Sequence, residues 1–120
     1  MAEGVDLWAA DILLQKKKTN KKIRLVAVIP FEGHINSVRE QYKKRYEEIL
    51  RYADEIIYTS KSYSKSCYRI RNEYLVDKAD LLVAVYYESE PKSGTGQTVR
   101  YAQKNNKEVL FINPDSLYTD

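Results

Sequence analysis

Four short apolar runs alternate with four segments of helical period along this chain of 120 residues, and that alternation leaves few folds open to it. The runs are "IRLVAVIP" (23–30), "EIIYTS" (55–60), "DLLVAVYY" (80–87) and "EVLFIN" (108–113). They are apolar at consecutive positions rather than at every second one, the mark of strands covered on both faces. Strands of that kind, separated by helices, predict an α/β fold: a parallel sheet with helices on both faces and right-handed crossovers. The predicted order is α-β-α-β-α-β-α-β in a single domain spanning residues 1–120.

The helices are read from their period. Val5, Trp8, Ala9, Ile12 and Leu13 share one face of the first. Lys16, Lys17, Lys18, Lys21 and Lys22 follow it, where cations complement the helix dipole. Ile35, Val38, Tyr42, Tyr46, Ile49 and Ala53 mark the second, with Arg39, Lys43, Lys44, Glu47 and Glu48 on its wet side. Cys67, Ile70, Tyr74 and Leu75 mark the third, facing inward. The fourth runs from Thr95 to Asn105.

Bulk properties narrow the function classes. A net charge of +3 permits contact with phosphates without requiring nucleic acid. One cysteine, Cys67, excludes an internal disulfide and suits a reducing compartment. With one histidine, His34, it argues against a protein-built zinc site. No apolar run approaches the ~20 residues that span a bilayer, and "MAEGVDLWAA" is not a signal peptide. The expectation is a cytoplasmic protein with no membrane partner, no metal and no resident cofactor.

In open parallel sheets, ligands bind beyond the carboxyl ends of the strands. That rule selects four stretches: "EGVD", "PFEGH", "TSKSYSKSC" and "YYESEPKSGTGQT". In the last, Gly94 and Gly96 let backbone approach a ligand. Thr95 or Thr98 caps the following helix or meets a phosphate, and the helix start is an anion site. The same residues also read as a plain turn with a helix cap. Arg71 lies beside the apolar face of the third helix. It is either a solvated arginine or a planar fork aimed at a phosphate or carboxylate, and Asn72 carries the same ambiguity. Asp6 suits the first helix turn as a dipole partner. Glu32 and His34 are either an acid/base pair or parts of a solvated loop. Tyr58, Tyr63, Tyr86 and Tyr87 lie near strand ends, where a phenol ring packs at the core's edge or stacks on a base.

The blocks "GVDLWAAD", "LVAVIPFEG", "RYEEILRYADEIIYTSKSYS", "RNEYLVDKADLLVAVY" and "SGTGQTVRYAQKNNKEVLFINP" carry a resemblance from Gly4 to Pro114. Together they resemble the YpsA-type branch of the SLOG superfamily, Rossmann-like domains related to DprA and to the "lonely guy" phosphoribohydrolases. The resemblance implies a Rossmann-like sheet with a pocket for a nucleotide or nucleotide-derived ligand at the strand ends. The phosphoribohydrolases carry an arginine on the helix before the "D-apolar" strand, matched by Arg71 ahead of Asp80. They follow that strand with a "PGGxGTxxE" loop. Here Gly94 and Thr95 match its Gly-Thr pair, and Thr98 stands where the glutamate would be.

A carboxylate is the natural group to stabilise an oxocarbenium-like state or to activate water, and threonine supplies no such charge. The resemblance therefore implies binding without cleavage, a sensor or sequestering domain with no catalytic residue. The expected pocket is Gly4, Asp6, Phe31, Glu32, Gly33, Arg71, Asn72, Ser93, Gly94, Thr95, Gly96 and Thr98. The alternatives are a nucleoside-monophosphate phosphoribohydrolase and a single-stranded DNA binder of the DprA kind, with nucleic acid the less favoured partner. Relatives begin with a strand–loop–helix–strand unit; the resemblance implies that this unit is absent here, with "MAEGVDLWAA" beginning where it would end. The sheet edges left open by that difference are costly and sticky, which predicts a homo-oligomer.

Overall fold

The computed structural model describes residues 5–85 and 94–112. The chain is α/β, with four helices and short parallel strands in two small sheets, consistent with a Rossmann-like fold. It divides into two compact units, Met1–Cys67 and Tyr68–Asp120.

In the first unit, α1 (Val5–Thr19), β1 (Val26–Ile29) and α2 (Glu40–Tyr52) precede β2 (Glu55–Tyr58). β1 and β2 pair in parallel from Val26↔Glu55 to Ile29↔Tyr58, so their carboxyl ends coincide. Ala27, Val28 and Ile29 are buried, whereas β2 is largely exposed. The core joins Leu7 and Ala10 of α1, Leu25 and Ile29 around β1, Val38, and Tyr46 and Ile49 of α2.

α2 follows its sequence pattern. Tyr46 and Ile49 are buried, and Arg39, Lys44, Glu47 and Glu48 are exposed. Glu40 sits in the first turn, where a carboxylate suits the dipole, and pairs with Lys43 at 3.1 Å. α1 departs from expectation. Leu7, Ala10 and Leu14 face inward, while Trp8, Ala9, Ile12 and Leu13 are exposed. Apolar residues surround the N-terminal two-thirds of this helix, so several stripes satisfy its period. Polar partners select one: Asp11 pairs with Arg45 of α2, and Lys17 pairs with Asp54. Asp11 and Lys17 lie on the Leu7–Leu14 stripe, and their pairing turns Trp8 and Ile12 outward.

Asp54 is a small hub. It takes the hydrogen bond from Lys17 and a second, at 2.7 Å, from the backbone N–H of Leu25. The Lys17 bond, then the Leu25 bond, hold its carboxyl below the ordinary value of 3.8.

In the second unit, most of α3 (Cys67–Lys78) precedes β3 (Leu81–Val85), α4 (Gly94–Lys104) and β4 (Glu108–Ile112). β3 and β4 pair in parallel from Leu81↔Glu108 to Val85↔Ile112, and α4 packs on both. Ala84, Val99 and Ala102 are buried, whereas Leu81, Val83 and Leu110, which share one sheet face by register, are exposed. α4 stops at Asn106, whose φ is 59°. There the Asn106 N–H donates to Gln103 O at 3.1 Å and the Lys107 N–H to Ala102 O at 2.9 Å, the paired bonds of a Schellman motif. The Lys107 ammonium then reaches Ala79 O at 3.1 Å, beyond the end of α3.

α3 also presents a different face from the one its apolar residues suggest. Cys67, Arg71 and Val76 are buried, whereas Ile70 and Leu75 are exposed. Hydrophobic weighting placed Arg71 beside the inner stripe. It occupies that stripe because its aliphatic stem buries as readily as a leucine and its Nε donates to Asn72 Oδ1 at 2.8 Å. The predicted single sheet takes the form, among the described residues, of two separate parallel pairs.

Candidate functional site

At the carboxyl end of the β1–β2 pair, Pro30 halts the strand and Phe31 begins a turn. The His34 N–H donates to Phe31 O at 3.2 Å. Gly33 holds φ at 86°, the left-handed region that glycine enters without cost. A 3-10 turn, His34–Ser37, follows and leads into α2. Its geometry buries Phe31 and His34 and leaves Glu32 exposed. His34 Nδ1 lies 3.0 Å from Tyr46 Oη, so its imidazole is tied into the core. Thr59 closes the adjacent loop against this end, its N–H donating to Ile29 O at 3.0 Å.

In the second unit the predicted residues fall around α3 and α4. Gly94 opens α4, and a methyl group added to it would meet nothing within 4 Å, so open space lies beside its α-carbon. Thr95 is exposed and Gly96 buried. Thr98 bonds backward, its hydroxyl donating to Gly94 O at 3.0 Å, which leaves the amides of the first turn to other acceptors. Asn72 of α3 and Thr98 of α4 line one cleft of about 250 Å³ with Arg69, Glu73, Gln97, Arg100 and Tyr101. Arg71, 6% exposed, lies next to Asn72 on the same helix.

The cleft's other residues escaped the sequence reading, although a signal exists. Arg69, Asn72 and Glu73 recur at i, i+3 and i+4 on α3, and Gln97, Arg100 and Tyr101 do so on α4. Two helices of one unit thus carry the same polar spacing. Arg69 donates to Glu73 at 2.9 Å. Tyr101 donates to Asp77 at 2.8 Å, and that bond raises its phenol above the ordinary 10.0.

Asp6 is exposed in the first turn of α1. Gly4, Ser93, Tyr86 and Tyr87 lie outside the described residues. Cys67 is fully buried and in no disulfide. Among the described residues no cluster of three potential metal ligands occurs, and no helix is long and apolar enough to cross a membrane. A larger cleft, about 560 Å³, is lined by Asp11, Leu14, Gln15, Lys17, Lys18, Glu48 and Tyr52. It follows the carboxyl halves of α1 and α2, which turn into the amino ends of β1 and β2. That is the opposite end from the one where α/β sheets bind ligands, and its Lys17 is committed to Asp54.

A family model described as the YspA SLOG family matches residues 2–117. The chain belongs to the YspA SLOG family. Among its relatives, a UPF0398 protein of Halalkalibacterium halodurans is 37% identical over 92 residues, covering 75% of this chain and 49% of the relative. A UPF0398 protein of Bacillus cereus strain B4264 is 32% identical over 92 residues, covering 75% and 50% respectively. One from Bacillus thuringiensis strain Al Hakam is 30% identical over 108 residues, covering 88% and 58%. The chain thus spans about half the length of these relatives, whose names state no activity. For a SLOG-family chain, the α3–α4 cleft and the Phe31–Gly33 turn are the two described places where expected ligand residues gather.

Proposed function

We propose that this SLOG-family protein binds a nucleotide or nucleotide-derived ligand without cleaving it, as a sensor or a sequestering domain. The observation that carries the reading is the cleft between α3 and α4, where Asn72 and Thr98 meet two guanidinium-bearing residues, Arg69 and Arg100. At about 250 Å³ it is smaller than the ~300–1,000 Å³ of pockets that enclose whole drug-sized ligands. It suits a phosphate with its sugar rather than a complete nucleotide. Arginine matches phosphate oxygens with a planar, permanently charged fork. Thr98 stands where phosphoribohydrolase relatives carry a glutamate, and its hydroxyl is engaged with Gly94 O. The cleft's carboxylate, Glu73, is held by Arg69. These features favour holding an anion over breaking a glycosidic bond.

The test is a thermal-shift series with the four nucleoside monophosphates, each sample then assayed for free base. The expected result is a ligand-dependent rise in melting temperature without base release. At a hundred times Kd the stabilisation is ~2.7 kcal/mol. Asn72→Ala, at a half-buried position, weakens binding about tenfold, the loss of one hydrogen bond to a charged group. Base release that disappears in Arg71→Lys would instead make the protein a phosphoribohydrolase. No shift with any of the four overturns the reading.

A further inference from the structure

We propose that Tyr63 is a stacking platform for the planar base of a nucleotide, with Lys61 and Lys65 placed to meet its phosphate. The proposal concerns a site of the first unit alone, separate from the α3–α4 cleft, and rests on the reading of a nucleotide-type ligand.

The loop from Thr59 to Ser66 reads Thr-Ser-Lys-Ser-Tyr-Ser-Lys-Ser. It leaves β2 at the sheet end where α/β folds bind ligands. Thr59 fastens its start to Ile29 O, and the Cys67 N–H closes its end on Ser64 O at 3.3 Å. In a loop of hydroxyls and cations, the single large ring is 65% exposed. An exposed tyrosine is ordinary on a surface, but this one is braced. Its ring meets Phe31 edge-to-face, centroids 5.8 Å apart at 79°. Phe31 meets His34 in the same manner at 5.3 Å and 86°. His34 Nδ1 lies 3.0 Å from Tyr46 Oη, and Tyr46 is 1% exposed. A chain of rings thus runs from the core of the first unit to its surface and ends in water.

An edge-to-face contact engages one edge or one face of a ring, and at this exposure a face of Tyr63 remains open. A tyrosine orders only two side-chain torsions when it binds, and the contact with Phe31 has already restricted them. Every base has a π-face, so stacking accepts purines and pyrimidines alike. Lys61 and Lys65 flank the ring two residues away on either side, and neither pairs with a carboxylate among the described residues. Single-stranded nucleic acid needs successive platforms along the strand. Here the ring next to Tyr63 is the buried Phe31, so the site takes one base.

Titration of the full chain with the fluorescent nucleotide etheno-AMP, alongside ribose 5-phosphate, tests this. Etheno-AMP fluorescence is expected to fall on binding. Tyr63→Ala should weaken that binding about five- to 150-fold, the usual contribution of one stacked base, and Tyr63→Trp should preserve it. Ribose 5-phosphate affinity should not respond to Tyr63→Ala. Joint Lys61→Ser and Lys65→Ser substitution should weaken etheno-AMP. All these positions are exposed, and circular dichroism confirms that each variant folds. Unchanged etheno-AMP affinity in Tyr63→Ala overturns the platform. If Asn72→Ala still weakens ribose 5-phosphate, the phosphate cleft stands without it. No binding of either probe up to about 1 mM, the weak end of specific association, overturns both. A dT tetranucleotide binding more than about tenfold tighter than etheno-AMP would reassign the loop to single strands.

Discussion

α2 and α1 belong to the same unit and pack on each other, yet they were specified in different ways. α2 has a charged half and an apolar half, and only one rotation about its axis hides Tyr46 and Ile49. α1 is apolar around most of its first three turns. Its rotation follows from two ion pairs, Asp11 with Arg45 and Lys17 with Asp54. α4 and α3 repeat the contrast, with Val99 and Ala102 of α4 turned inward as their pattern dictates and Arg71 of α3 buried against it. Hydrophobic period chooses a helix face when one side is wet. When no side is wet, as in α1, polar partners choose it, and the partners of α1, Arg45 and Asp54, are distant in sequence.

Three substitutions probe that contrast. The largest effect belongs to Ile49→Ala, which empties a fully buried site on α2 and should destabilise by about 2–5 kcal/mol, read as a fall in the urea midpoint at unchanged slope. Ile12→Ala on α1, at a position 39% exposed, should cost less than about 1 kcal/mol. A cost equal to that of Ile49→Ala, growing with protein concentration, would break the contrast by showing the outer face of α1 covered by another copy. The smallest effect belongs to Asp54→Asn, and its signature is pH. The folded-state pKa of Asp54 lies below 3.8, so its contribution is complete above that value and disappears as pH falls through the folded-state value. Wild type and Asp54→Asn should therefore differ in melting temperature near neutrality and converge in acid. A difference independent of pH would mean that the carboxylate charge does not orient α1.

Much of the fold was legible for local reasons. "IRLVAVIP" is too continuously apolar to be anything but a covered strand, and Pro30 marks its end. The core face of α2 was written in its period. β1 and β2 are shorter than the runs 23–30 and 55–60 because parallel pairing needs a partner at every step. The 3-10 turn at His34 was not legible: it depends on the left-handed Gly33 and on packing of Phe31 against His34, a contact that no period records. Arg71 could be singled out as a candidate, but its burial could not be read, because an arginine's stem and its head obey opposite rules. The α3–α4 cleft stayed hidden since its signal is a coincidence between two helices rather than a motif within one.

The stop of α4 sets more than a helix length. Neighbouring strand residues face opposite ways, so the count of residues through Asn106 decides which of Leu110 and Phe111 shares a side with Ala84. Inserting one residue there would exchange them, placing the phenyl ring on the face of Leu81 and Val83 and Leu110 on that of Ala84. A β-branched residue at 106 would resist the left-handed bend and push the chain toward the same exchange. The parity of β4 is thus written in the backbone of a single asparagine.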